Sequence, residues 1–193
     1  MEFKSKTFLT FEEAATKNWF MRPSANKKHL TIPEVVLFGM LAALTFALQV
    51  VMGPLPNIEP VSLLVILFAV TFGWKALYPV YIFVVMEILY YGINTWNVYY
   101  LYVWTVLAVV AICLRKVKEP IVWAVVSGAY GLMFGVLCGI SDIFVGGLGY
   151  AVSKWTMGIG FDVIHCAGNF VIALLLFKPL HTLLEKLYGR MRR

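Results

Sequence analysis

Between Pro33 and Phe177 the chain runs through long apolar stretches almost unbroken by charge, with Val61–Val70 and Phe170–Phe177 nearly continuous. Over the whole sequence only 13% of residues are charged, against about 25% in soluble domains. Most of the surface therefore faces lipid, where only helices and closed barrels satisfy their backbone groups. Barrel strands alternate apolar and polar residues, and these runs do not, so the expected fold is an all-α integral membrane protein. A spanning helix takes about 20 residues. The 193 residues then hold five or six spans and short loops, with no room for a soluble catalytic domain.

Breaks in the apolar pattern place the spans. Residues 1–32 are polar and basic and form an N-terminal extension; Thr10 and Glu13 match a T-x-x-E capping box. A helix there would turn Phe8, Phe11 and Trp19 towards a membrane interface, and a mobile tail is the alternative. Span 1 is expected over Pro33–Met52, followed by Gly53–Pro60, whose three prolines make a stiff loop. Span 2 covers Val61–Trp74, and spans 3 and 4 share Ala76–Leu114, divided at the polar cluster Gly92–Asn97. After the loop Arg115–Pro120 come span 5 at Ile121–Ile140 and span 6 at Gly158–Phe177. Between those two, Ser141–Met157 is rich in glycine and aromatics and reads as a long or partly re-entrant loop. The six-helix domain is expected over 33–180, and a basic tail over 181–193.

The net charge of +6 is distributed as a topology signal rather than as a nucleic-acid footprint. With the N-terminus inside and six spans, 15 of the 16 Lys and Arg residues fall on the cytoplasmic side, and only Lys154 lies outside. The positive-inside rule therefore places both termini in the cytoplasm, in a multi-pass protein of the cell membrane. Cys113, Cys138 and Cys166 sit in apolar segments without paired spacing and are expected as buried, reduced thiols. The N-terminus lacks the apolar core of a signal peptide.

Under this topology four acids, Glu59, Glu87, Asp142 and Asp162, lie outside or in the outer halves of spans. Ionisable groups at that depth are costly and face a cavity or a partner. Asp162, His165 and Asn169 are spaced by three and four, which puts them on one helical face. That stripe lines an outward pocket or joins helices by hydrogen bonds. Aromatic residues gather at the same level (Tyr90, Tyr91, Trp96, Tyr99, Tyr100, Tyr102, Trp104, Tyr150 and Trp155), either as an interfacial belt or, with Asn94, Asn97, Glu59, Asp142 and Asp162, as a site for a flat polar ligand. Small residues recur at four-residue spacing, Gly39, Ala43 and Ala47 in span 1 and Gly131, Gly135 and Gly139 in span 5, which lets helix backbones approach closely. Internal packing is expected for span 5; span 1 is equally suited to another subunit.

No phosphate-binding, zinc-protease or serine-hydrolase motif occurs. Asp162 and His165 could supply two metal ligands, but a catalytic site needs three, so neither metal nor cofactor is expected.

Size, topology, the Gly39-xxx-Ala43-xxx-Ala47 span and the loop Leu55-Pro56-Asn57-Ile58-Glu59-Pro60 together resemble the substrate-binding S component of energy-coupling factor (ECF) transporters. The resemblance covers about residues 33–180 and departs in beginning its first-helix motif with Gly39 rather than alanine. It implies that the small residues of span 1 dock on a transmembrane T component, and that two ATPase subunits supply energy from inside. It further implies that the loop after span 1 closes over an outward pocket for a water-soluble vitamin or related compound. Asn57 and Glu59 would come from the lid, and Glu87, Asn94, Trp96, Asp142, Asp162, His165 and Asn169 from the walls. A membrane-embedded enzyme using Asp162 and His165, and a structural or regulatory membrane protein, are the other two readings. With one outer basic residue against four acids, neutral or cationic ring compounds are favoured over multiply anionic ones. A B6 vitamer, a thiamine-related pyrimidine and a corrinoid all meet that condition.

Overall fold

The computed structural model describes residues 30–55 and 57–191; the expected capping box at Thr10 and Glu13 lies outside them. Among the described residues all regular structure is helical. The helices are α1 (Ile32–Met52), α2 (Val61–Phe72), α3 (Leu77–Tyr91), α4 (Thr95–Cys113) and α5 (Pro120–Met191), with a short 3-10 turn at Gly73–Ala76 joining α2 to α3. Among the described residues four helical stretches are long and apolar enough to cross a membrane: Ile32–Met52, Val61–Tyr91, Thr95–Cys113 and Pro120–Met191.

The 72-residue α5 is not one rod. Gly147 interrupts it with φ 80° and ψ 176°, a left-handed backbone that costs a residue with a Cβ but not glycine. The two limbs then fold back on each other. Asn169 donates to the Ser127 carbonyl at 3.3 Å, the Gly135 N–H donates to Asp162 at 3.1 Å, and Lys154 reaches Asp142 at 2.9 Å. The paired numbers fall on one side as they rise on the other, which is an antiparallel hairpin. The glycine-rich stretch 141–157 is thus helical on both sides of one residue, not a long or re-entrant loop. The second limb also runs past the expected end of span 6, through Pro179 to Met191.

Ring contacts fix the remaining directions. Phe38 meets Tyr78 and Phe46 meets Tyr90, so α1 and α3 run the same way. Phe72, at the end of α2, returns to Phe38 near the start of α1. Tyr91 meets Trp96 while Phe83 meets Trp104, so α4 runs back along α3. Trp104 meets Phe134, and Tyr102 donates to the Leu137 carbonyl at 2.7 Å, which sets the first limb of α5 antiparallel to α4. Six segments therefore alternate in direction. One end of the bundle carries the loop 53–60, the turn 92–94 and Gly147. The other carries Gly73–Ala76 and the loop 114–119.

α2 is the hub. Every residue from Val61 to Ala69 is buried, as expected of a helix apolar on all faces. The glycines on the first limb of α5 explain how its second limb gets close. A Cβ on Gly131 would lie 2.8 Å from the His165 carbonyl group, and one on Gly128 would lie 3.3 Å from the Cys166 oxygen. A Cβ on Gly135 would collide with the Asp162 carboxylate. Gly131 and Gly135 thus serve internal packing, as their spacing indicates; Gly139 meets nothing within 4 Å.

Candidate functional site

The loop between α1 and α2 arches over a cavity of about 130 Å³ at the Gly147 end of the bundle. The last turn of α1 contributes Gln49 and Met52, and the loop itself contributes Leu55, Asn57, Ile58 and Glu59. The floor is aromatic, with Tyr100 and Trp104 from α4, Phe134 from the first limb of α5 and His165 from the second. These rings form an edge-on series: Trp96 to Tyr100 at 5.2 Å, Tyr100 to Trp104 at 5.2 Å, Trp104 to Phe134 at 5.9 Å and Phe134 to His165 at 5.0 Å. Such offset contacts stiffen a wall beyond the area that they bury.

Glu59 organises the polar side. Its carboxylate accepts from the Val61 and Ser62 N–H groups and from the Ser62 hydroxyl at 2.7 Å, so it caps the start of α2. Its Oε1 also lies 3.1 Å from His165 Nε2. A carboxylate can only accept, so that nitrogen carries the proton, and in the neutral ring Nδ1 is left as an acceptor. Behind this pair Asn169 donates to Ser62 Oγ at 3.1 Å. One network thus ties the loop, α2 and both limbs of α5 together at the cavity.

Several polar atoms around the cavity have no hydrogen-bond partner among the described residues: Gln49 Oε1, Trp104 Nε1 and His165 Nδ1 on its lining, and both carboxyl oxygens of Glu87 deeper in the bundle. Trp104 and Glu87 are 1% exposed and His165 is 3% exposed. Buried polar groups are ordinarily paired because an unpaired one costs about 1–3 kcal/mol. Three of these atoms, on Gln49, Trp104 and His165, belong to residues that line the cavity.

Of the residues singled out in the sequence, Asn57, Glu59 and His165 line the cavity, and Asn169 supports it through Ser62. Trp96 meets the Tyr100 ring edge-on and does not itself line the cavity. Asp162 lies on the same limb as His165 but is held by the Gly135 N–H. Asn94 is the N-cap of α4, with its backbone N–H donating to Asn97 Oδ1 in a capping box. Asp142 accepts from Tyr99 and from Lys154, which is 2.9 Å away and lies over the Tyr99 ring. That cluster clasps α4 to both limbs of α5 and stands apart from the cavity lining. Gln49 and Phe134 are absent from the sequence-derived candidates, and Tyr100 and Trp104 appear there only among the rings gathered at this level. Tyr100 and Trp104 follow Trp96 at four-residue steps on one face of α4, and Gln49 is the only amide in an otherwise apolar span, so both signals exist in the sequence.

Gly39, Ala43 and Ala47 lie on a face of α1 that the other described residues leave open. A Cβ on Gly39 would meet nothing within 4 Å, and Ala43 and Ala47 are exposed. Large apolar residues flank them on the same helix, including Met40, Leu44 and Val51. Among the described residues no three His, Cys, Asp or Glu side chains gather where a metal ion could be held.

No family model, no curated protein and no solved structure matches the chain.

Proposed function

We propose that this chain is a substrate-capture subunit of an importer of the ECF type. It crosses the cell membrane six times with both termini in the cytoplasm, and it takes up a small water-soluble compound from the outer face. The observation that carries this reading is the cavity beneath the α1–α2 loop, with unpaired polar atoms on its aromatic wall. A solvent-side loop over a concave, largely apolar site with few polar groups is the usual form of a small-molecule site.

Two further observations support it. Lys75, Arg115, Lys116 and Lys118 lie at the bundle end remote from the cavity, which by the positive-inside rule supports a cytoplasmic position for that end and an outward-facing cavity. The open small-residue face of α1 is suited to close contact with another transmembrane subunit, here the T component, whose two ATPase partners would power release inwards. α2 is too short to span alone at about 18 Å, and as the enclosed hub it needs no contact with lipid.

The test is ligand-protected thermal unfolding of the purified full-length chain across a panel of vitamins and their precursors. Saturable stabilisation by one compound, recovered chemically unchanged, supports the reading. Stabilisation by none, or conversion of the compound, overturns it.

A further inference from the structure

We infer that the ligand of this cavity is an uncharged, planar molecule of a single ring that carries a hydrogen-bond donor and an acceptor on one edge; the inference rests on the capture reading above and narrows it. Size comes first. The cavity holds about 130 Å³, close to the roughly 150 Å³ of an engineered cavity that takes up benzene. That volume matches a single ring rather than a fused bicyclic or a macrocycle.

Charge comes second. Among the described residues no lysine or arginine lines the cavity, and Lys154, at the same end of the bundle, is committed to Asp142 at 2.9 Å. An anion therefore finds no counter-ion. Glu59 is the lining carboxylate, and its oxygens already accept from Val61, from Ser62 and from His165. A cation thus finds the lining carboxylate engaged at the N-terminus of α2, and Glu87, deeper in the bundle, does not line the cavity.

Hydrogen-bond pattern comes third. Trp104 Nε1 is a buried donor without a partner, and Gln49 Oε1 and His165 Nδ1 are acceptors without one. The Gln49 amide is oriented by its Nε2, which donates to the Tyr100 hydroxyl at 3.3 Å. A ring nitrogen or carbonyl would accept from Trp104 while an adjacent amino or amide N–H donates to Gln49 or His165. Amino-substituted azines and heteroaromatic amides have this edge. The rings of Tyr100, Trp104 and Phe134 supply apolar surface for the ligand's faces.

The probes are 4-aminopyrimidine, 4-(dimethylamino)pyrimidine, toluene, 2-aminopurine and pyrimidine-4-carboxylate. Each is titrated to millimolar concentration into the full-length chain in detergent and read by thermal shift and calorimetry, alongside the vitamin panel. Saturable binding is expected for 4-aminopyrimidine, ahead of its N-methylated, bicyclic and anionic relatives. Trp104→Phe, which keeps a ring but removes the N–H, is expected to weaken 4-aminopyrimidine about 5- to 150-fold and to leave toluene unchanged. Stronger binding of 2-aminopurine or of the carboxylate overturns the inference, as does an unaltered preference in Trp104→Phe. Should a larger vitamin saturate the chain while the one-ring probes do not, the capture reading stands and this inference falls. Should nothing in either set bind, both fall.

Discussion

Substituting Gly131 tests the hairpin on which the cavity depends. The β-carbon of Gly131→Ala would lie 2.8 Å from both the carbonyl carbon and oxygen of His165, and 2.9 Å from the Cys166 nitrogen. All three are backbone atoms of a helix, so no side chain can rotate out of the way. Restoring ordinary contact at 3.4 Å moves the limbs apart locally by about 0.6 Å. The Gly135 N–H to Asp162 bond, now 3.1 Å, would then stretch to about 3.7 Å, outside bonding range. Overpacking of this kind costs about 1–3 kcal/mol, against which alanine returns up to about 1 kcal/mol of helix propensity. Because the atoms met are backbone, the upper end of that cost applies, and the net loss of about 2 kcal/mol corresponds for a chain of this length to an unfolding midpoint lowered by about 4–8 °C, measured on the full-length chain in detergent micelles. Gly139→Ala is the control, because a Cβ there meets nothing within 4 Å; its midpoint should stay level or rise. Equal midpoints for the two variants would refute the packing argument and with it the geometry that presents His165 to the cavity.

Ala43→Leu adds bulk on the open face of α1; ligand binding by the isolated chain should persist while uptake by cells falls, and a parallel loss of both would make that face internal packing. After replacement of the three native cysteines, a cysteine at Lys116 should resist an impermeant thiol reagent in intact cells and one at Asn94 should react; the reverse pattern sinks the topology. Asp142→Asn removes the charge paired with Lys154 and should lower stability by about 1 kcal/mol in this partly exposed pair, with cavity binding unchanged; lost binding in a folded variant would join that clasp to the site.

Much of the helical framework is legible in the sequence because its breaks are chemical. Three prolines mark 53–60, and a run of basic residues marks 115–118. The cluster 92–97 marks the turn before α4, where Gly92 at φ 78° ends α3. The stretch 141–157 misleads for a physical reason. Asp142 and Lys154 read as loop charges, yet across the hairpin they neutralise each other, and the chain bends at the single residue Gly147, with Gly146 leaving room for the Tyr150 side chain. The site is legible in half. Asn57, Glu59 and His165 stand out because polar groups at membrane depth demand a reason. Trp104 and Phe134 do not, since rings there are equally suited to an interfacial belt. Asn94 illustrates the converse, a polar residue at that level whose capping role at α4 accounts for it.

The most direct measurement is calorimetric titration of the full-length chain with the compound that stabilises it most in the thermal screen, repeated for His165→Ala and Gln49→Ala. If the cavity beneath the α1–α2 loop is the capture site, each folded variant should bind about 5- to 150-fold more weakly, without chemical turnover in any sample. Unchanged affinity in both folded variants would contradict that claim and place the binding site elsewhere in the molecule.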